Sequence, residues 1–365
     1  MGRRSGWALL LALVAATIGG CGSDGDGATS SGGPSSSSGS SSGSSGSSGT
    51  PPNAVKTCAP ACPVENLTQG AFEPRSLVVS GDRVYFFAGG KSFEDRGVYS
   101  VPAAGGPSTK LASAEPTGAA CKQIATDGAY VYFVNHSGGG GIPSRLERVP
   151  VSGGPAEEFS PAGTPQEVCI ALDDTHVYWH GVSWATGAQE DGIFKSPKHG
   201  GPPVLLAKDE RPTSITTRGG NVYFATDTAV KSVPAAGGSV ITLAGQLEFT
   251  EWRLTADDAF VYMADRSDGV IARVPTGGGP QEILAEDDRA WGLVLDGATL
   301  FWSRVPNTAA DNRIVMLELG APKPPDLSLA GVPIVTTVGG VDIAVDATHI
   351  YWASAPEGAI RRVAK

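Results

Sequence analysis

The chain has 365 residues, with 27 Lys and Arg against 37 Asp and Glu and a formal net charge of −10. That balance argues against nucleic acid or anionic lipid headgroups as partners, because either selects a basic face. Fifty Gly and 27 Pro imply a chain full of corners, and no stretch carries sustained helical periodicity, so the class expected is all-β.

At the N-terminus, Arg3 and Arg4 precede an apolar run from Trp7 to Ile18. The run is short of the roughly 20 residues that a membrane-crossing helix needs, and it reads as a signal peptide over residues 1–20. It ends in Ile18-Gly19-Gly20-Cys21, which resembles the lipobox of bacterial lipoproteins: an aliphatic residue, two small residues, then the Cys that is acylated. The resemblance implies a lipid-modified Cys21 and a location in a bacterial cell envelope, on the periplasmic or cell-surface side. Several acyl chains at about 0.8 kcal/mol per buried methylene make a durable anchor. Membrane contact is then expected through that anchor alone.

Residues 21–53 follow as the lipidated Cys and a tether of Ser and Gly, with Asp24 and Asp26 near its start and Pro51-Pro52 at its end. Such a segment buries too little to offset its conformational entropy, so it is expected to stay disordered. Random-coil scaling gives a reach of about 30 Å, which holds a head of residues 54–365 off the membrane.

The head repeats one phrase seven times. Its aromatic centre is Val84-Tyr85-Phe86, then Val131-Tyr132-Phe133, Val177-Tyr178-Trp179, Val222-Tyr223-Phe224, Val261-Tyr262-Met263, Leu300-Phe301-Trp302 and Ile350-Tyr351-Trp352. The central aromatics stand between 39 and 50 residues apart, close to the period of a four-stranded propeller blade. Each copy has a first strand closed by a polar turn such as Asp257-Asp258, the aromatic strand and a third strand; in the first five copies the third strand ends in Pro and leads through a glycine corner such as Gly277-Gly278-Gly279-Pro280 to a fourth strand. The seventh copy lacks its fourth strand. Pro63 to Thr68, followed by Glu73-Pro74, has the shape of Pro107 to Ala112 followed by Glu115-Pro116. The prediction is a seven-bladed β-propeller of four-stranded antiparallel blades, closed by an N-terminal latch strand in the last blade.

The phrases at Val261 to Pro275 and Ile350 to Val363 resemble the Tyr-Trp-Thr-Asp repeats of extracellular receptor propellers, with wider similarity to the NHL and TolB-like propellers. The position of that family's Asp is Asp265 in this sequence; the other copies carry Ala88, Asn135, Gly181, Thr226, Arg304 and Ser354 there. The resemblance implies the architecture and no particular ligand.

Beyond Cys21, four cysteines remain, and an oxidising envelope implies two disulfides with three connectivities open. Placement in the blades favours Cys58 with Cys62 and Cys121 with Cys169. Binding is expected on the face that carries the long, variable loops. The candidates there are His136, His180 and Trp184, with Glu167, Glu251, Trp252, Arg253, Trp291 and Asp342 from the beginnings of first strands. No nucleophile elbow, phosphate loop or zinc-protease helix occurs, and no catalytic residue or metal ligand is assigned. Two functions follow. The first is a non-catalytic, monomeric binding or scaffold module for a protein, peptide or glycan, with no cofactor. The second is a lactonase-like hydrolase or lyase, with a divalent cation such as calcium at the channel mouth.

Overall fold

The computed structural model describes residues 63–70, 73–114, 124–135, 144–159, 169–183, 190–208, 210–245, 252–265, 269–286, 290–304, 313–320, 332–333 and 342–365. They form seven antiparallel sheets of four strands each, arranged as the blades of a propeller. Blade 1 runs from its inner strand Pro74–Ser80 through Arg83–Ala88 and Gly97–Pro102 to the outer strand Thr109–Ser113. Blade 2 is Ile124–Thr126, Tyr130–Asn135, Arg145–Pro150 and Glu157–Glu158; blade 3 is Ile170–Leu172, His176–Ser183, Glu190–Pro197 and Val204–Lys208. Blade 4 comprises Ser214–Arg218, Asn221–Ala225, Ala229–Pro234 and Ile241–Gly245, and blade 5 Trp252–Ala256, Phe260–Asp265, Val270–Pro275 and Glu282–Glu286. Blade 6 is Ala290–Asp296, Thr299–Arg304, Arg313–Glu318 and Val332–Pro333.

Blade 7 is assembled from both ends of the head. Ile343–Val345, His349–Ser354 and Ala359–Ala364 supply three strands, and Glu65–Gln69 supplies the fourth. Glu65 faces Arg362 and Gln69 faces Ala359 in an antiparallel register with a bulge between Asn66 and Thr68. Arg362 donates to the Glu65 carboxylate at 2.6 Å and 2.9 Å, and Arg361 donates to the Asn66 side-chain oxygen at 2.9 Å. Leu67 is buried beside Leu77 and Phe86 of blade 1 and Tyr351 and Ile360 of blade 7. Its carbonyl accepts from the Gly106 amide of blade 1 at 3.0 Å. The latch therefore joins the last blade to the first.

The core lies between blades, where the second strands stack their aromatic centres. Tyr132, Tyr178, Tyr262, Tyr351, Trp179, Trp302, Trp352, Phe86 and Phe133 are fully buried, each stabilising the ring by about 1.5–3 kcal/mol relative to exposure. The third strands end where sequence places their prolines. In blades 1 to 5 the amide of the third residue after Pro102, Pro150, Pro197, Pro234 or Pro275 closes a tight turn on the proline carbonyl at 2.8–2.9 Å. That donor is always a glycine, and at Gly105 the φ of +89° shows why. Between the third and outer strands, blades 1, 3, 4 and 5 share a register shift at equivalent positions, which adds twist to each outer edge.

Antiparallel blades divide the connections between two ends of the ring. The turns from first to second strand and from third to outer strand occupy one end, here the turn face. The second-to-third connections and the crossings between blades occupy the other, the loop face.

Candidate functional site

On the turn face, a bond set repeats in blades 2, 3, 5 and 7. Asp127, Asp173, Asp257 and Asp346 each stand five residues before a buried tyrosine. One carboxylate oxygen accepts two backbone amides of its own turn, at 2.7–2.9 Å. The other accepts the hydroxyl of Tyr132 at 3.0 Å, Tyr178 at 2.5 Å, Tyr262 at 2.8 Å or Tyr351 at 2.6 Å. Directly across from each tyrosine on the third strand is a base: Arg148, Lys195, Arg273 and Arg362. Three of these bases reach the following blade, where Arg148 donates to the Lys198 carbonyl at 2.6 Å, Lys195 to that of Ala235 at 2.5 Å and Arg362 to that of Ala103 at 2.5 Å.

The electrostatics follow from this geometry. For Asp346, partial burial works to raise the pKa, but donation from the Tyr351 hydroxyl, the Thr348 and His349 amides and the Thr348 hydroxyl outweighs it and holds the carboxyl at about 2. Asp127 and Asp173 are lowered in the same way, against burial. Burial and the Asp257 carboxylate push Tyr262 up to about 12, and Tyr132, Tyr178 and Tyr351 are raised for the same reasons. These groups are stitching between turns and blades. In blades 1, 4 and 6 the residue five before the aromatic is Ser80, Arg218 or Asp296, and the residue across is Ser100, Ser232 or Met316. Blade 6 keeps the Asp but has Phe301 in place of tyrosine. There the Lys365 ammonium sits 5.6 Å from the ring and donates to Asp296 at 2.5 Å.

The seven inner strands enclose a central channel with a cavity of ≈ 390 Å³. Its wall is aliphatic and hydroxylic, with Val79, Ile170, Val294 and Val345 among the apolar groups and Thr126, Ser214, Thr216, Thr217 and Thr255 among the polar ones. Some of these hydroxyls also bind neighbouring blades. Thr217 donates to the Leu172 carbonyl at 2.5 Å, and the Ser214 oxygen accepts the Leu254 amide at 3.2 Å. Among the described residues, two ionisable side chains line the cavity, Arg253 from blade 5 and Asp342 at the start of blade 7.

Sequence-predicted site residues fall into three groups. Arg253 and Asp342 both line the channel, from blades 5 and 7. One Asp342 oxygen accepts the Leu77 amide at 3.0 Å and the Ser76 hydroxyl at 3.3 Å; the other accepts the Ile343 amide at 3.2 Å. The carboxylate thus ties blade 7 to blade 1. His180 and Trp291 are elsewhere. His180 is 5% exposed, and its Nε2 lies 2.9 Å from Asp191, whose second oxygen accepts from Arg211 at 2.9 Å. The hairpin of blade 3 extends to the pair Ser183 and Glu190, which carries Asp191 over the imidazole. Trp291 packs, partly buried, against Phe301, Ile343 and Trp352 between blades 6 and 7. Trp252 opens the inner strand of blade 5 opposite Asp265, with its side chain outside the described residues. His136, Trp184, Glu167, Glu251, Cys21, Cys58, Cys62 and Cys121 lie outside the described residues altogether. Cys169 immediately precedes the inner strand of blade 3, is 1% exposed and lines the channel.

The hydroxyl wall and the Asp–Tyr–base sets were missed in the sequence reading. The first had a signal in the Ser and Thr of the inner strands at Ser214, Thr216 and Thr255. The second had one in the fixed five-residue spacing from Asp to Tyr.

Solved structures share this fold at low identity. An oligogalacturonate lyase from Vibrio parahaemolyticus is 14% identical with a TM-score of 0.55, over 84% of this chain and 95% of that one. A puromycin-hydrolyzing peptidase from Mycobacterium tuberculosis is 13% identical with a TM-score of 0.54, over 84% of this chain and 56% of the peptidase. The computationally designed Ika8 protein is 13% identical with a TM-score of 0.50, over 82% of this chain and 98% of that one. No protein-family model and no curated protein matches the chain. At these identities the likeness shows the β-propeller fold.

Proposed function

We propose that this chain is a lipid-tethered β-propeller of a bacterial cell envelope, acting as a non-catalytic binding or scaffold module for a protein, peptide or glycan through its loop face. The observation that carries this reading is the contrast between the two ends of the ring. On the turn face, first and second strands are joined by two or three residues, and four Asp–Tyr–base sets fasten those turns. On the loop face, the second-to-third connections range from residues 226–228 in blade 4 to 136–144 in blade 2, with 89–96 and 305–312 nearly as long. Variable loops on a fastened frame are the usual arrangement of a recognition surface.

In this reading Cys21 carries the lipid, residues 22–53 are the tether, Cys121 pairs with Cys169 and Cys58 with Cys62. Support for the inner pair comes from the placement of Cys169, buried on the channel wall immediately before the inner strand of blade 3.

The test is fractionation of cells making the full chain or its Cys21→Ser variant, followed by capture from the solubilised membrane fraction. The expected result is a wild-type chain in the membrane fraction, labelled by radioactive palmitate, and a C21S chain that is unlabelled and released. A wild-type chain that takes up no label and is recovered soluble contradicts the anchor. Tightly bound calcium or zinc, with turnover of a lactone or uronide substrate lost in Glu251→Ala, replaces the binding role with the hydrolase or lyase one.

A further inference from the structure

We propose that the turn face carries a site for a small carboxylate in blade 1, formed by Arg83, Tyr85 and Ser80. In the other six blades, the residue five before the central aromatic is an Asp or is held by one. Asp127, Asp173, Asp257 and Asp346 accept the tyrosine hydroxyl of their own blade. Asp296 accepts the Lys365 ammonium at 2.5 Å, and in blade 4 the residue is Arg218, which donates to Asp258 of blade 5 at 2.7 Å and 3.3 Å. Blade 1 departs from all of them. Ser80 holds the position, and the Tyr85 hydroxyl has no hydrogen-bond partner among the described residues.

A cation stands beside them. Arg83 pairs with Ser80 across the tight turn, and its Nη2 donates at 2.8 Å to the hydroxyl of Ser100, which lies directly across from Tyr85. Among the described residues no carboxylate pairs with this guanidinium, and its buried Nε has no partner. A half-buried positive charge answered by one neutral hydroxyl is costly, and an anion lowers that cost. Burial raises the Tyr85 pKa, Arg83 opposes the rise and Asp82 adds to it, so cation and phenol share one electrostatic environment. The neighbouring turn of blade 2 brings Gly128, without a side chain, to the Ser80 hydroxyl. Guanidinium, phenol and serine hydroxyl are the donors that a carboxylate accepts, and the sister blades meet their tyrosines with the same chemistry from an Asp side chain. Asp82, exposed on the same turn, repels a second negative charge. A monocarboxylate therefore fits better than a phosphate dianion.

The experiment is thermal unfolding of the full chain in rising sodium acetate against sodium chloride at equal ionic strength, with the peptide acid acetylglycylglycine and its amide as a second pair. The expected result is a midpoint that rises saturably with the acids and not with chloride or the amide. Whichever acid half-saturates at the lower concentration distinguishes a free small carboxylate from a chain terminus. Ser80→Asp, which supplies a carboxylate from the chain itself, is expected to melt higher than wild type and to lose the acetate response. Arg83→Gln is expected to need at least about 10-fold more acetate for the same rise. No difference within either pair, or an S80D or folded R83Q chain that responds to acetate as wild type does, overturns the proposal. S80D decides the matter if R83Q fails to fold. The loop face lies at the other end of the ring and its partner capture is read separately, so either proposal can fail alone.

Discussion

Tyr351 illustrates how a single side chain fastens two elements. Its ring fills the seam between blades 7 and 1, while its hydroxyl reaches a carboxylate already committed to the adjoining turn. Removing only that oxygen, in Tyr351→Phe, keeps the packing and leaves Asp346 with its turn amides. The loss expected is about 1–2 kcal/mol, the low end for a hydrogen bond to a charged group at a half-buried site, measured by urea unfolding. A change below about 0.3 kcal/mol would mean that water replaces the hydroxyl without cost. The same carboxylate gives the fold an acid limit. Because its folded pKa of about 2 lies below the ordinary value near 4, the stabilisation is full above about pH 4 and is lost as pH falls through about 2. Asp346→Asn is expected to be less stable at pH 7 and to show a flatter stability profile between about pH 4 and 2. The raised tyrosines act in the opposite direction: their contribution is complete below about pH 10 and is lost as the pH climbs through about 12 at Tyr262. Blade 6 shows the same logic with other residues, since Lys365 supplies the donor that Phe301 lacks.

At the scale of the strand, the repeat was legible because its period is written in bulky residues. Each aromatic centre must face a neighbouring blade, and each Pro followed by glycines must end a ladder, so seven copies and their order could be counted directly. The latch was legible for the same reason, as a fourth-strand phrase displaced to the wrong terminus. Leu67 tests that element: it is 3% exposed and touches blades 7 and 1 together. Leu67→Ala is expected to cost about 2–5 kcal/mol. It should lower the midpoint of a single cooperative transition, because unpairing the latch opens the ring. A separate early transition confined to the N-terminal strand, with the main midpoint unmoved, would show that closure does not depend on it. Less was legible where contacts depend on closure. The five-residue spacing from Asp to Tyr is visible in sequence, but nothing local says that the base across the sheet, such as Arg148, will reach a carbonyl of the next blade. His180 looked like a loop-face residue and is buried instead, because the blade 3 hairpin runs on past it through the facing glycines Gly181 and Gly192. Asp342 looked like a rim carboxylate. Its role at the seam appears only when blade 7 meets blade 1.

Over the whole molecule, the first-to-second turns at one end of the ring repeat from blade to blade, while the second-to-third connections at the other end differ in length. Under the binding role proposed above, a ring with that polarity is expected to meet its partner with the loop face and to leave the turn face uncovered. Asp227, in the second-to-third connection of blade 4, is exposed on the first, and Asp174, in the inner turn of blade 3, is exposed on the second. Placing a photo-crosslinking amino acid at either position in cells that make the full chain compares the two faces under the same conditions. The decisive measurement is the yield of covalent adduct after illumination: an adduct from position 227 with little or none from position 174 is the outcome expected, and a dominant adduct from position 174 would contradict recognition by the loop face.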